Sequence, residues 1–200
     1  MTDMVTHIRA RISADALDKA TRFFNAGLED IFNELLQNAR RAGATRVEII
    51  EEPDHIIVRD DGVGMRNPET LLSFGKSGWE GETARLEDPA GMGFWSLSRR
   101  GCEIWSMPEG ALSGWYAKIT SKAFQGRESV PFETLDDERQ GTGISFPKKD
   151  GGEMSVRPLL EKVAGFYPIP VFYSSHPDDP IEIVRSDFLE KAVRIETFDG

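Results

Sequence analysis

Two segments of the chain carry residues whose types and spacing suit phosphate chemistry. Glu34 and Asn38 lie four residues apart in a proline-free segment, so a helix there would place both side chains on one face. A glutamate can orient and deprotonate a water molecule. An asparagine offers a neutral oxygen to a hard cation such as Mg²⁺. Together they predict a hydrolytic phosphate site, although polar residues at this spacing are also typical of a solvated helix face.

The second segment, residues 60–65, follows an apolar run and predicts a tight glycine turn at a strand end. Asp60 is suited to accept a hydrogen bond from an exocyclic amine, although aspartate is also common in ordinary turns. Gly64 would let a flat ring approach the backbone, because a Cβ there would clash. We expect Asp61 to point the other way into solvent. Val63 and Met65 are expected either to line a ring pocket or to lie in the core.

Residues 66–90 form a long, glycine-containing segment with weak periodicity, and long segments of this kind are often functional lids. Gly91 and Gly93 follow it and predict a turn that opens a helix, where backbone N–H groups can bind phosphate. A P-loop is excluded at Gly75-Lys76-Ser77, because Thr70 stands where its first glycine is required. Lys76 is either a phosphate ligand or an ordinary surface lysine.

Composition limits the class of protein. The chain has 200 residues, enough for one compact domain, which we assign to 1–200. Its net charge of −10 argues against general binding of duplex nucleic acid. A single cysteine, Cys102, excludes an intramolecular disulfide and favours a cytoplasmic location. No apolar run of about 18 residues is present, so no membrane span is expected. The three histidines, His7, His55 and His176, are scattered and give no metal-ligand spacing.

Periodicity predicts the elements that must position these residues. Apolar residues at helical spacing predict a helix within 14–42, with Gly43 at its C-terminal end. Residues 45–59 predict a hairpin with Val47 and Ile49 inward. Further elements are predicted as strands at 102–107, 114–120, 142–147, 181–185 and 192–198, a weaker strand near 126–132, and a short helix at 159–166.

This order of elements predicts an α+β fold, a two-layer α/β sandwich. We expect a mixed, mostly antiparallel sheet with helices on one face. The chain ends on Phe198-Asp199-Gly200, a hairpin signal without a returning strand, so the natural chain is expected to continue beyond residue 200.

Taken in order, these segments resemble the GHKL ATPases, which include gyrase, the ninety-kilodalton heat-shock chaperones, histidine kinases and the MutL proteins. The family's first box, Glu-x-x-x-Asn, corresponds to Glu34 and Asn38. Its second box, Asp-x-Gly-x-Gly, corresponds to Asp60, Gly62 and Gly64. Its third box is a glycine turn after a lid, and a later Gly-Thr pair follows on a strand; these correspond to Gly91, Met92, Gly93 and Phe94, and to Gly141 and Thr142. The resemblance extends from about residue 20 to residue 147, which is where we place the nucleotide site.

The subfamily is divided between two patterns. Residues 38–45 resemble MutL proteins, whereas residues 75–78 and 91–96 resemble the chaperones. Histidine kinases are disfavoured, because their third box usually ends Gly-Leu-Gly-Leu. One departure stands out: the chaperone and MutL patterns often carry an aspartate three residues after the box asparagine, and here that residue is Arg41. A cation at this position is expected to contact either the nucleotide or a partner.

The resemblance implies a Bergerat-type ATP-binding fold and slow, Mg²⁺-dependent ATP hydrolysis. It implies that adenine contacts Asp60 and Thr142, with Met65 nearby, and that Asn38 is the Mg²⁺ ligand. Residues 91–94, Lys76 and the 66–90 lid would close over the γ-phosphate, and Glu34 would polarise the attacking water. A basic residue from a following domain or partner would complete the site, and an ATP-dependent dimer is possible in such proteins.

Two other functions stay open from the sequence. One is a non-hydrolysing ATP-binding regulatory module, against which Glu34 argues because a pure binder needs no base. The other is a histidine-kinase-like phosphotransferase, which would need a phosphoacceptor histidine on a partner.

Overall fold

The computed structural model describes residues 6–9, 27–73, 93–136, 139–148, 155–165, 167–175 and 179–183, and for 6–9 it describes the backbone alone. Its strands are β1 (Thr6–Arg9), β2 (Val47–Glu51), β3 (His55–Asp60), β4 (Cys102–Met107), β5 (Gly114–Ile119), β6 (Ser129–Leu135), β7 (Gly141–Pro147), β8 (Val171–Ser174) and β9 (Ile181–Glu182). Its helices are α1 (Leu28–Arg41), α2 (Ser121–Phe124) and α3 (Arg157–Ala164), with 3₁₀ helices at Pro68–Leu72 and Gly93–Leu97.

The described strands form one sheet in the order β1-β6-β5-β4-β7-β3-β2-β8-β9. Every pairing is antiparallel except that of β2 with β8, which is parallel. Hairpins such as β2–β3 and β4–β5 form some of the antiparallel pairs, and others, such as β3 with β7, join strands that are distant in the chain. Strand β8 reaches β2 after the crossover through α3. The predicted α+β sandwich with a mixed, mostly antiparallel sheet is therefore confirmed.

Helix α1 is the element that positions the first candidate residues. Its apolar stripe is buried against the core, as predicted, and comprises Ile31, Phe32, Leu35, Leu36 and Ala39. The helix stops at Gly43, whose φ of 68° is a conformation that L side chains rarely adopt. The N–H groups of Gly43 and Ala44 donate to the carbonyls of Arg40 and Ala39, both at 3.0 Å, which closes a Schellman motif. The remainder of the predicted helix, residues 14–26, lies outside the described residues.

The hairpin of β2 and β3 delivers the second candidate segment. Val47 and Ile49 are fully buried, as predicted, and Asp60 is the last residue of β3. Strand β3 also pairs with β7, so that Asp60 lies opposite Thr142. The pairing of β3 with β7 therefore places the aspartate of one motif beside the threonine of another.

Most of the other strand predictions are confirmed, with shifts at the ends. The strands predicted at 102–107, 114–120 and 142–147 are β4, β5 and β7. The weak strand near 126–132 is displaced to β6, the strand at 181–185 is reduced to β9, and the helix at 159–166 is α3. Strands β1 and β8 were not predicted, because each is only four residues long. The strand predicted at 192–198 lies outside the described residues.

A buried carboxylate fastens α3 to the hairpin. Glu51, at the end of β2, accepts hydrogen bonds from Lys148 Nζ at 2.7 Å, Tyr173 Oη at 2.6 Å and the Val156 N–H at 3.0 Å. These partners come from the end of β7, from β8 and from the residue before α3. A buried charge needs such compensation, and here the compensation links segments that are distant in sequence.

The hydrophobic core lies between the sheet and the helices. Phe32 of α1 meets Phe146 of β7 with ring centroids 6.4 Å apart, and Trp95 meets Phe124 at 5.3 Å. All four side chains are at most 2% exposed, and burying each contributes about 1.5–3 kcal/mol. Among the described residues, no helix is both long and apolar enough to cross a membrane.

Candidate functional site

Glu34 of α1 meets the third motif at Gly93. A Cβ built on Gly93 would lie 1.6 Å from Glu34 Oε1, so the carboxylate occupies the space that any other residue's side chain would need. The Glu34 side chain is 26% exposed, which leaves it accessible to water. The first and third motifs, about sixty residues apart in the chain, are therefore brought together.

The same helix face carries Asn38 and Arg41. Arg41 Nη1 donates to Asn38 Oδ1 at 3.4 Å and lies 3.9 Å from Glu34 Oε1. The Arg41 side chain is only 8% exposed. The cation that departs from the family pattern therefore lies between the predicted base and the predicted metal ligand.

The C-terminal end of α1 meets the second motif. A Cβ on Gly62 would lie 2.6 Å from Ala42 Cβ and 2.8 Å from the Ala42 carbonyl oxygen. That carbonyl accepts a hydrogen bond from the Val63 N–H at 2.9 Å. The middle of helix α1 thus contacts the third motif, and the residue that follows the helix contacts the second motif.

Asp60 combines burial with hydrogen bonding. Its Oδ1 accepts the Gly62 N–H at 2.9 Å. Burial raises the pKa of Asp60 to about 6, with a further contribution from the charge of Asp61, against hydrogen bonds from the backbones of Gly62 and Thr142. A carboxylate poised in this way gains from any ligand group that donates a hydrogen bond to it.

Asp61 is exposed, as expected, but it is not simply solvated. Its carboxylate accepts the N–H of Thr45 at 2.7 Å, the hydroxyl of Thr45 at 2.6 Å and the N–H of Arg46 at 3.0 Å. Although partial burial opposes the shift, these bonds lower the pKa of Asp61. Asp61 therefore fixes the residues before β2, which corrects the expectation of a purely solvated side chain.

Gly64 is required by the protein's own backbone. Its φ is +67°, and a Cβ there would lie 2.4 Å from the Met107 carbonyl oxygen and 2.9 Å from the Pro108 Cα. This packing accounts for glycine without the predicted approach of a flat ring. Val63 is 44% exposed, so it does not lie in the core.

A buried serine that the sequence analysis missed connects Met65 to Thr142. Ser106 Oγ accepts the Met65 N–H at 2.8 Å and donates to the Gly141 carbonyl at 3.0 Å. Its hydrogen is thereby used, so Thr142 Oγ1, 3.1 Å away, is the donor in their contact. The only sequence signal was a serine at an inward position of β4.

Gly141 explains how Thr142 reaches Asp60. Its φ is +118°, and a Cβ there would lie 2.0 Å from the Asp60 carbonyl oxygen. Only glycine permits this close approach of β7 to the end of β3. The Gly-Thr pair is therefore adjacent to the second motif, as the resemblance implied.

The third motif departs from the predicted helix start. The described part is a five-residue 3₁₀ helix, Gly93–Leu97, which is too short for a substantial helix dipole. Phe94 packs against Phe124 with ring centroids 5.5 Å apart. Gly91, Met92 and Lys76 lie outside the described residues.

The predicted lid is described only at its beginning. Residues 66–73 include the 3₁₀ helix Pro68–Leu72, whose Leu71 and Leu72 are buried in the core. The start of the 66–90 segment is therefore anchored, and residues 74–90 lie outside the described residues.

A cleft of about 390 Å³ lies beside Asp60 and Thr142. Arg59 and Trp105 also line it, and along their strands these residues alternate with the buried Val58 and Ile104. Alternation places them on the sheet face away from the core. The cleft is therefore separate from the contact between Glu34 and Gly93.

Comparison with known proteins gave three results. No family model matches the chain. The chaperone protein HtpG of Chlorobium phaeobacteroides is 26% identical over 181 residues, which cover 80% of this chain and 27% of the chaperone. The chain thus spans about a quarter of that relative. The MutL ATPase domain of Aquifex aeolicus, in complex with ADP, superposes with a TM-score of 0.54 at 16% identity, covering 82% of this chain and 66% of that chain. The resemblance to the GHKL superfamily is therefore confirmed.

Proposed function

We propose that this chain, which shares the fold of a MutL ATPase domain and resembles an HtpG chaperone in sequence, binds ATP and hydrolyses it slowly. One observation supports this most strongly: helix α1 touches Gly93 through Glu34 and touches Gly62 through Ala42. Two glycine motifs and a candidate base are thereby arranged along a single rigid element. Precise placement of a base relative to a bound phosphate requires such an element.

The base-recognition end of the proposed site is formed by Asp60 and Thr142. Asp60 accepts a hydrogen bond from the exocyclic amine of adenine, which stabilises the ionised carboxylate against its burial. Thr142 is held beside it by Ser106, and Ser106 also holds the backbone of Met65. The positions of these groups are thus fixed before a nucleotide arrives, which lowers the cost of binding.

The phosphate end is formed by Glu34 and the third motif. Glu34 orients and deprotonates the attacking water, for which its partial exposure leaves room. The backbone of residues 91–94 and Lys76 contact the phosphates, and the 66–90 segment closes over them. A following domain or protein partner supplies a further basic residue, with an ATP-dependent dimer as one possible assembly.

The Mg²⁺ at Asn38 stays a prediction from the sequence, and the donor set around Asn38 does not fit it. Asn38 Oδ1 already accepts a hydrogen bond from the Arg41 guanidinium at 3.4 Å. A divalent cation held at that oxygen would also stand close to the charge of the Arg41 guanidinium, which would repel it. The proposed mechanism therefore contains no step that depends on a metal ion.

One observation favours a second function, a non-hydrolysing ATP-binding module. Arg41 lies 3.9 Å from Glu34 Oε1 and competes with water for that oxygen. If the ion pair persists when nucleotide is bound, one of the two carboxylate oxygens of Glu34 faces a cation instead of a water molecule.

Incubation with ATP labelled at the γ-phosphate separates these functions. Hydrolysis releases labelled phosphate, a regulatory module retains intact ATP, and a phosphotransferase labels the protein or a partner. We expect slow release of phosphate without labelling of the protein. Failure to bind ATP at all would overturn the proposal.

A further inference from the structure

Arg41 occupies an unusual position for a positive charge. It follows Asn38 by three residues, where the resembling chaperone and MutL patterns often have aspartate. Its guanidinium lies 3.4 Å from Asn38 Oδ1 and 3.9 Å from Glu34 Oε1, and its side chain is 8% exposed. The charge is therefore directed into the candidate site rather than into solvent.

An ordinary helix-capping role does not explain this burial. Basic residues in the last helical turn offset the negative end of the helix dipole while remaining exposed. Arg40, in the same turn, is exposed and provides that charge. Burying a second guanidinium against Asn38 and Glu34 costs desolvation that the helix end does not require.

The charge also affects which cation the site accepts. The guanidinium of Arg41 carries a positive charge. A divalent cation coordinated by Asn38 would stand within a few ångströms of it and would be repelled. Guanidinium groups bind phosphate oxygens in bidentate geometry and so can neutralise a polyphosphate themselves.

We infer that Arg41 takes the place of Mg²⁺ in this site, binding the nucleotide phosphates directly, so that the chain binds nucleotide without a divalent cation. This rests on the proposed function, because it concerns the same nucleotide. The ligand class is a nucleoside di- or triphosphate that is free of metal. Asn38 then serves to orient the guanidinium instead of coordinating a metal.

Isothermal titration calorimetry tests this on the whole chain. ATP and ADP are titrated once with excess Mg²⁺ and once with EDTA. For the unaltered protein we expect the two affinities to agree within about threefold. Arg41→Asp introduces the residue that is common at this position in the chaperone and MutL patterns. For this variant we expect the affinity in EDTA to fall by at least about tenfold, because a charged hydrogen bond typically contributes that much. Excess Mg²⁺ should restore much of that loss.

Arg40→Asp is the matched control, because it makes the same charge change at the adjacent, exposed position. For Arg40→Asp, the affinities in Mg²⁺ and in EDTA should agree as they do for the unaltered protein. An equal effect of both variants would show that overall charge is responsible and would overturn the inference. Arg41→Gln, a milder change checked by circular dichroism, replaces Arg41→Asp if the latter does not fold.

The measurement on the unaltered protein decides the inference without any variant. Binding that requires Mg²⁺ by more than about tenfold overturns the inference and leaves the proposed function intact. Absence of ATP binding under both conditions overturns the proposed function itself. The two failures are therefore distinguishable.

Discussion

The carboxylate of Glu34 lies where the Cβ of any residue other than glycine at position 93 would stand, with Oε1 only 1.6 Å from that point. The candidate base and the glycine motif are thus mutually dependent. Gly93 leaves room for Glu34. In turn, Glu34 contacts the segment that would bind phosphate.

Gly93→Ala should therefore impair hydrolysis more than folding. The new methyl group displaces the Glu34 carboxylate, which is the flexible end of a partly exposed side chain and can move at small cost. Misplacement of a catalytic group by about 1 Å can cost about 10²-fold in rate. We expect phosphate release to fall by about that factor while the midpoint of thermal unfolding changes little.

Gly27→Ala, at the start of α1, is the control for this substitution. A Cβ there would meet nothing closer than 4.0 Å. Its rate should match that of the unaltered protein. If Gly93→Ala hydrolyses ATP just as fast, the contact between Glu34 and Gly93 has no role in turnover.

Asp60→Asn and Asp61→Asn should have different effects. Loss of the Asp60 carboxylate removes a charged hydrogen bond to the ligand, worth about 1.5–3 kcal/mol, so affinity should fall at least about tenfold. Asp61 is bonded to Thr45 and Arg46 instead, so Asp61→Asn should leave affinity unchanged and lower the free energy of unfolding. Calorimetry and urea unfolding measure the two quantities, and equal losses of affinity would contradict the assignment.

Nucleotide affinity should depend on pH through Asp60. Burial is the main cause that raises the pKa of Asp60 to about 6 in the free protein. The adenine amine requires the ionised carboxylate as its hydrogen-bond acceptor. Affinity should therefore fall as the pH drops below about 6, approaching tenfold per pH unit. Asp60→Asn should remove this dependence.

The stability of the free protein should depend on the ionisation of Asp60 with the opposite sign to nucleotide affinity. A raised pKa means that Asp60 contributes stability that is present below the ordinary pKa of an aspartate and is lost as the pH rises through about 6. Opposite pH trends for affinity and for stability would thus trace both to one residue. An affinity that is flat between pH 5 and 7 would argue against Asp60 as the base anchor.

Glu51 provides a prediction about stability alone. Burial by itself would raise the pKa of Glu51, but hydrogen bonds from Lys148, Tyr173 and Val156 outweigh it and lower the pKa. Its contribution is therefore present above the pKa of an unfolded glutamate and is lost as the pH falls through the lower folded value. Glu51→Gln should lower the free energy of unfolding at pH 7 by about 1–3 kcal/mol.

Urea unfolding at pH 7 and at acid pH measures this contribution. The difference between Glu51→Gln and the unaltered protein should shrink as the pH falls. Nucleotide binding should be unaffected, since the network lies away from the motifs. A constant difference at every pH would contradict the assigned role of the ionised carboxylate.

The sequence predicted those parts of the fold that depend on local pattern. The apolar stripe of α1, the stop at Gly43 and the alternation in β2 each follow from neighbouring residues. Strand β8 did not, because a four-residue strand carries little pattern and its parallel pairing with β2 is set by tertiary contacts.

The same division applies to the candidate site. Asp60, Gly62 and Glu34 were identified because their types and spacing match a known motif. The buried hydroxyl of Ser106 was not, because a serine in a strand has no distinctive pattern. Arg41 stood out as a departure from the motif, but its position between Glu34 and Asn38 could not be predicted from the sequence. Both acquire meaning only from residues that are brought close by the fold.

Glu34→Ala separates ATP hydrolysis from ATP binding at a single side chain. ATP binding by calorimetry and phosphate release are measured on one preparation, using the longest chain that can be expressed. Removing a positioned base should reduce the rate by about 10²–10⁴ while leaving affinity nearly intact. Asn33→Ala, an exposed neighbour on the same helix, should change neither. Phosphate release by Glu34→Ala at the unaltered rate would show that Glu34 is not the base and would favour the regulatory module.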